Sequence, residues 1–169
     1  MSNEIKLIEL NNFPPMDTGS PMPSILANEY KVYLVYCLKN NVDYSDESYV
    51  ITEETLKSNI IIVTFDDYLQ YKFGSPNDEA LNGHKYYKYG LRHYSFYEVQ
   101  NSDLIDELEQ MNRAHPVHST IVYSKIKHII GTFHDSCFEI VAKKYSIKNF
   151  KGYSMKECIE NITRRLYKN

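Results

Sequence analysis

The sequence predicts an α+β fold in which a single domain, residues 1–169, combines a mostly antiparallel sheet with two amphipathic helices. Strand-like segments follow one another along the chain, without the regular alternation of strand and helix that a parallel sheet requires. Only two segments show the hydrophobic periodicity of a helix. At 169 residues the chain is also long enough to bury one core without a metal or disulfides.

The first predicted element is an N-terminal arm, residues 1–30. It contains a strand candidate, Ile5–Leu10, and then the segment FPPMDTGSPMP at 13–23, which holds four of the six prolines. Proline fixes φ and lacks a backbone donor, so this segment is expected to be extended or irregular. We therefore expect an arm or covering loop that keeps the first strand candidate apart from the main body.

Strand candidates dominate the middle of the chain. KVYLVYCL at 31–38 is apolar on both faces, as a central buried strand is. The polar segment at 43–59 is predicted to be an exposed connection to the next candidate at 59–73, and a further aromatic-rich candidate lies at 92–99. Two strand-like segments flank HDS and predict a β-hairpin over 127–145.

The two amphipathic helices have clear start signals. The first begins at the N-cap candidate Ser102 and ends before Pro116. The second begins at Ser154, which forms a capping-box pattern with Glu157. The apolar stripes consist of Leu104, Ile105, Leu108 and Met111 in the first helix, and of Met155, Ile159, Ile162 and Leu166 in the second.

Composition bounds the cellular setting. No apolar run approaches the ~20 residues that a membrane span requires, and the first residues, MSNEIKLIELNN, lack the pattern of a secretory signal. Cys37, Cys137 and Cys158 are an odd number of widely spaced residues with apolar neighbours, which is typical of buried thiols in a reducing compartment. We therefore expect a cytoplasmic protein without a membrane partner.

Charge is distributed unevenly along the chain. Residues 143–169 carry eight Lys or Arg and two Glu, a net charge of +6, whereas the whole chain has a net charge of −3. Such a basic end can mark a nucleic-acid surface. The favoured interpretation is a basic helix that packs on an acidic body and complements its own dipole, so nucleic acid is not the favoured partner.

The stretch TFHDSCFE holds the first group of candidate catalytic residues. Because strand side chains alternate, Glu139 shares a face with Cys137 and Val141 and is expected to be desolvated. Burial raises the pKa of a carboxyl group unless a cation or donor meets it, so Glu139 is either an acid/base candidate or half of a structural pair. His134 is a candidate general base or metal ligand at the turn, and the adjacent Asp135 is expected to point away from it.

The stretch FGSPNDEALNGH holds the second group. Asn77 and Asp78 are turn formers, and Asp78 and Glu79 are predicted to open a short helix that Gly83 closes. His84 follows directly, and one histidine with nearby carboxylates can bind a divalent metal. The alternative is a corner capped by Asn77 and Asp78 with no ligand.

Two more histidines, His115 and His118, lie in AHPVH. Their three-residue step suits zinc only on a helix, and Pro116 lies between them. No CxxC or HExxH pattern completes a zinc set, and the chain has no P-loop, dinucleotide GxGxxG or GxSxG motif. These absences exclude the enzyme classes that are easiest to recognise.

Taken in order, these motifs resemble those of a bacterial family of unassigned activity. Its signature reads FGxPNDEAxxGH, EVxNS, NxxHPxH and FHDSxFE, and the similarity spans roughly residues 24–145. The chain departs from the family pattern after His84, where Lys85-Tyr86 replaces Pro-Leu. The resemblance implies a bacterial cytosolic protein with a shared site, and it places Glu98, His115 and His118 among the candidate binding residues.

The leading hypothesis is a pocket of histidines and acids that binds a small nucleotide-like or phosphorylated ligand, through a divalent metal with unspecified ligands, and hydrolyses it. His134, Glu139 and Asp135 are the catalytic candidates. The chain has 16 tyrosines, a residue type suited to partner recognition. The competing hypothesis is therefore a non-catalytic module that holds a protein or nucleic-acid partner through a tyrosine-rich surface and the basic terminal helix. The candidate binding residues are Asn77, Asp78, Glu79, His84, Glu98, His115 and His118.

Overall fold

A computed structural model of the chain describes residues 4–39 and 58–167. The described residues form one antiparallel sheet of seven strands, in the order β1-β5-β6-β7-β4-β3-β2, with three α-helices. The strands are β1 Lys6–Glu9, β2 Ser24–Ala27, β3 Lys31–Cys37, β4 Ser58–Gly74, β5 Phe96–Gln100, β6 Lys127–Thr132 and β7 Cys137–Tyr153, and the helices are α1 Asp103–Asn112, α2 Thr120–Tyr123 and α3 Met155–Leu166.

The coarse fold prediction is confirmed, because one domain combines an antiparallel sheet with helices. Strands nevertheless dominate, and the short helix α2 accompanies the two predicted helices. The predicted hairpin is present as β6 and β7, although β7 continues to Tyr153 because β4 provides a partner along its whole length. The predicted connection at 43–59 lies outside the described ranges except for its last two residues.

The long strands β4 and β7 each have 17 residues and pair with each other from Ser58↔Tyr153 to Gly74↔Cys137. Their other neighbours cover only part of that length. The pairing of β3 with β4 ends at Asp66, and the pairing of β6 with β7 ends at Ala142. Within the described ranges, one half of each long strand therefore has an edge without a paired strand.

The sheet curves strongly around its main core. Tyr36 of β3 lies 5.6 Å from Phe96 of β5, ring centre to ring centre, although three strands separate β3 from β5 in the sheet. Phe13 of the N-terminal arm stacks on Phe96 at 4.4 Å. The backbone N–H of Leu10 donates to Phe96 O, and that of Asp17 donates to Cys37 O. The arm thus closes the gap between the curved ends of the sheet.

This arrangement corrects one expectation about the arm. The predicted strand candidate does not stand apart from the body, since β1 pairs with β5 and lies at the edge of the common sheet. Residues 1–30 also contain β2, which pairs with β3. The prolines do interrupt strand structure between β1 and β2, as their missing donors require.

Two smaller apolar clusters cover the other face of the sheet. At one end, Cys158 and Ile162 of α3 pack against β3 and β4, and the Ser154–Glu157 capping box is present. At the other end, the turn-rich segment 75–91 covers β5, β6 and β7 through Leu81, Tyr86 and Leu91. Within the described ranges, none of the helices has the length and apolar character that crossing a membrane requires. The three cysteines are buried, and none of them forms a disulfide.

Candidate functional site

The two motif-bearing stretches meet at one corner of the sheet. The backbone N–H of Asp78 donates to the carbonyl of His134 at 2.8 Å, which fixes the loop after β4 against the β6–β7 turn. The side chains also meet, because His134 Nδ1 lies 2.8 Å from Asp78 Oδ2. His134 is 47% exposed and Asp78 is 18% exposed, so solvent and small solutes can reach this pair.

Tyr94 completes this exposed cluster. Its hydroxyl donates to Asp78 Oδ2 at 2.7 Å and lies 2.9 Å from His134 Nδ1. The rings of Tyr94 and His134 are close to parallel, with centres 6.4 Å apart. His93 Nε2 lies 2.9 Å from the backbone carbonyl oxygen of Asp78, which can accept a hydrogen bond from it. We call His134, Asp78, Tyr94 and His93 the His134 cluster.

Hydrogen bonds set the protonation of this cluster. The bonds from Tyr94 and His134 lower the pKa of Asp78. The bond to Asp78 raises the pKa of His134, and the negative charges of Asp78, Asp135 and Glu79 add to that increase. The Asp78 carboxylate also raises the pKa of Tyr94 to about 12. His134 is thus biased toward the imidazolium form, and with Nδ1 occupied its Nε2 is the nitrogen available to a ligand.

A second polar cluster lies under segment 75–91 and is almost closed to solvent. His128 is fully buried, with Nδ1 2.6 Å from Ser102 Oγ and Nε2 2.8 Å from Glu139 Oε1. Ser102 is also the N-cap of α1, since its hydroxyl accepts the Ile105 N–H. His84 joins the same cluster through its charge interaction with Glu139. We call His128, Ser102, Glu139 and His84 the His128 cluster.

The half-buried carboxylate of Glu139 has a hydrogen-bond partner, His128, as its predicted burial requires. Burial acts to raise the pKa of Glu139, but the hydrogen bond and charge of His128 outweigh it, and the net pKa is lowered. Lys85 and His84 contribute in the same direction. Glu139 is only 12% exposed, and burial lowers the pKa of His84. This geometry favours the structural-pair interpretation of Glu139.

The expected single pocket is therefore two clusters. His134 and Asp78 lie in the exposed one, whereas Glu139 and His84 lie in the buried one. Among the described residues, no hydrogen bond or ion pair joins the two clusters directly. They are connected by the chain itself, since β7 and segment 75–91 each contribute to both.

His115 and His118 lie elsewhere, around the end of α1. His118 Nδ1 is 3.2 Å from Asn112 Oδ1, and its Nε2 is 3.3 Å from Glu109 Oε1 but not aligned for a hydrogen bond. The His115 ring accepts the N–H of Val117. Both rings brace the α1–α2 connection, which explains the HPVH pattern without a ligand.

The remaining candidates have mostly local partners. Asn77 Oδ1 accepts the Ala80 N–H and caps the turn before the 3-10 segment at Leu81–Gly83. Glu98 pairs with Lys127 at 2.6 Å across β5 and β6. Glu79 and Asp135 are exposed and act on His134 through their charges. Across residues 4–39 and 58–167, no three His, Cys, Asp or Glu side chains converge as a metal site requires.

Four cluster members were not among the predicted site residues: Tyr94, His93, His128 and Ser102. Hairpin register would have found His128, because it lies opposite Val141 and hence on the face that carries Glu139. Ser102 was identified as an N-cap and as the last residue of the EVxNS motif, without a role in the site. No local pattern indicates that Tyr94 reaches Asp78.

Comparison of the chain with protein-family models, curated proteins and solved structures finds no match. The function is therefore argued from the chemistry of the two clusters. The resemblance to a bacterial family stays a prediction from the sequence motifs.

Proposed function

We propose that the chain binds a small ligand at the His134 cluster and that His134 transfers protons during hydrolysis of that ligand. The observation that supports this proposal is the exposed contact between His134 Nδ1 and Asp78 Oδ2. A carboxylate on one ring nitrogen orients the imidazole and stabilises its cation, while the other nitrogen faces the reacting group. The His128 cluster lacks such access, because its histidine is fully buried.

In this proposal His134 acts at Nε2. As a base it would take a proton from a water molecule that attacks the ligand, and as an acid it would return that proton to the leaving group. Asp78 holds the ring and stabilises its charge, and the bond from Tyr94 holds Asp78 in turn. Tyr94 is a positioning residue, since its raised pKa of about 12 keeps its own proton in place near neutral pH.

We propose a nucleotide-like or phosphorylated ligand. Once neutral His134 has taken the proton of the water molecule at Nε2, its imidazolium provides a cation for the phosphate. The nearby rings of Tyr94 and His93 offer flat surfaces for a base. The negative charges of Asp78, Glu79 and Asp135 act on His134, so a phosphate must approach Nε2 from the side away from these carboxylates. A cleft of about 260 Å³ between Tyr94 and the N-terminal arm lies next to the cluster.

A ligand screen by thermal shift tests the proposal. The panel contains nucleosides, nucleotides and sugar phosphates, and the proteins are wild type, His134→Gln and the control His115→Gln, which alters an exposed histidine outside the cluster. A ligand at one hundred times its Kd stabilises by about 2.7 kcal/mol, or about 5–10 °C for a chain of this size. Wild type and His115→Gln should shift, and His134→Gln should not.

Turnover is then measured by chromatography of the ligand that gives the shift. Hydrolysis by wild type and loss of at least about 100-fold in His134→Gln are expected for a general acid/base. The proposal is contradicted if no compound stabilises the wild type, or if His134→Gln responds as wild type does. Equal response to a nucleoside and its phosphate would exclude the phosphate contact.

The alternative of a non-catalytic module has one favouring observation. Lys143, Lys144, Lys148 and Lys151 of β7 are all exposed, and none has a carboxylate at ion-pair distance among the described residues. Salt-sensitive binding of a labelled oligonucleotide, lost when these lysines are replaced by glutamine, would support that alternative.

A further inference from the structure

We propose that the open edge of β4, residues Tyr68–Gly74, pairs with the same edge of a second copy of this chain. On its inner side this half of β4 pairs with β7 as far as Gly74↔Cys137. On its outer side β3 ends at Lys31↔Asp66, and no other strand of the described chain continues the pairing. The backbone groups of this edge are thus available to another strand.

Apolar side chains mark this edge as an unprotected one. Leu69, Tyr71 and Phe73 are large hydrophobic residues that are 42%, 37% and 42% exposed. Leu69 lies at a β-bulge, and regular pairing with β7 runs from Gln70 to Gly74. Lys72 is the single charged residue between Tyr68 and Gly74. An apolar strand edge is a template for pairing with another chain, and a protein that stays monomeric normally blocks it. Along Gln70–Gly74, the one such blocking feature is the charge of Lys72.

The open edge of β7 shows how this sheet blocks such a site. Beyond Ala142, β7 has no neighbour on the side of β6 in the described structure. That half of the strand carries four exposed lysines, Lys143, Lys144, Lys148 and Lys151. Edge lysines oppose strand addition because pairing would desolvate and crowd their charges. The open edge of β7 is therefore protected by lysines, whereas the open edge of β4 is available for pairing.

Self-complementarity favours a second copy as the occupant. Two identical strands that pair antiparallel about a two-fold axis place one residue opposite itself. Centring the axis on Lys72 would put two ammonium groups face to face. Centring it on Tyr71 places Gln70 opposite Lys72 of the second copy, where the amide oxygen can accept from the ammonium, and it brings two tyrosine rings together.

Neighbouring surface extends the contact beyond the strand. A groove of about 290 Å³ beside Leu69 is lined by Leu108, Met111, Asn112 and Tyr123. Met111 of α1 is 61% exposed, although it belongs to the apolar stripe of an amphipathic helix. A second copy at the β4 edge would approach this groove, so the exposure of Met111 has an explanation in the same interface.

Disulfide trapping tests the paired register. Residues directly opposite each other in antiparallel strands have Cα atoms about 4.5–5.5 Å apart, within the range that a disulfide bridges. Tyr71→Cys should therefore form a covalent dimer under mild oxidation. The matched control is Lys144→Cys, which lies on the blocked edge of β7, and the native cysteines are buried.

Light scattering after gel filtration tests the association itself. Wild type should approach twice the chain mass of 19.9 kDa as concentration rises, and Tyr71→Lys or Phe73→Lys should each remain at one chain mass. A wild type that stays at one chain mass at every concentration would overturn the proposal. So would a dimer that neither lysine variant weakens, or equal cross-linking of Tyr71→Cys and Lys144→Cys.

Discussion

The two histidine clusters use the same contact in opposite surroundings. His134 and His128 each lie 2.8 Å from a carboxylate oxygen, but His134 is 47% exposed and His128 is fully buried. The buried pair has no room for a ligand, and each ring nitrogen already has a partner. The exposed pair leaves one nitrogen to solvent. A histidine–carboxylate contact therefore indicates an acid/base or binding site only where the other ring nitrogen of the histidine is accessible.

The largest effect on stability is expected from the buried cluster. His128→Ala removes the partner of Glu139 and leaves a carboxylate uncompensated within the sheet. Breaking a buried pair in this way costs about 3–5 kcal/mol of the free energy of unfolding. Urea denaturation at pH 7 measures this cost, with the exposed residue Lys125 as a control, since Lys125→Ala should change the free energy of unfolding by less than about 0.5 kcal/mol. A loss below about 1 kcal/mol would show that the cluster is not structural.

A smaller loss is expected at the end of the same hydrogen-bond chain. Ser102→Ala removes both the α1 N-cap and the contact with His128 Nδ1. Ser154→Ala removes only the N-cap group of α3, and a lost cap costs about 1 kcal/mol. We expect Ser102→Ala to cost about 1 kcal/mol more than Ser154→Ala, because a buried polar group loses its partner. Equal losses of the free energy of unfolding in urea denaturation would show that the Ser102–His128 contact does not stabilise the fold.

Much of the framework followed from the sequence because its signals are local. The hairpin at 127–145, the caps Ser102 and Ser154 and the buried cysteines depend on alternation, turn residues and polarity within a few positions. The curvature of the sheet did not follow, since it depends on Phe13, Tyr36 and Phe96 meeting across three intervening strands. The same limit explains why the arm was expected to stand apart.

The candidate site could be predicted from the sequence only in part, because it combines local motifs with long-range contacts. The motifs predicted that FGSPNDEALNGH and the HDS turn share a site, and in the structure Asp78 contacts His134. Glu139 contacts His128 and not His134, because the alternation that buries Glu139 also directs it away from the turn. Tyr94 reaches Asp78 with φ at +55°, a left-handed conformation that strand periodicity does not anticipate.

The smallest effect on stability is expected at His134, and it should depend on pH. The pKa of His134 is raised by folding, so its contribution is complete below the unfolded value of about 6.5 and is lost as pH rises through the folded pKa. The pKa of Asp78 is lowered, so its contribution is present above about 3.9 and is lost as pH falls through the folded pKa. The difference in Tm between wild type and His134→Gln should therefore be largest near pH 5–6 and should shrink by pH 8. A difference that grows with pH would contradict this assignment of charges.

The most direct test of the account is the titration of His134 itself, followed by NMR of the imidazole signals in wild type and Asp78→Asn. The wild-type midpoint should lie above the ordinary value of about 6.5, and it should return toward that value once the Asp78 charge is removed. A midpoint at or below about 6.5 that Asp78→Asn leaves unchanged would show that this exposed pair does not activate His134.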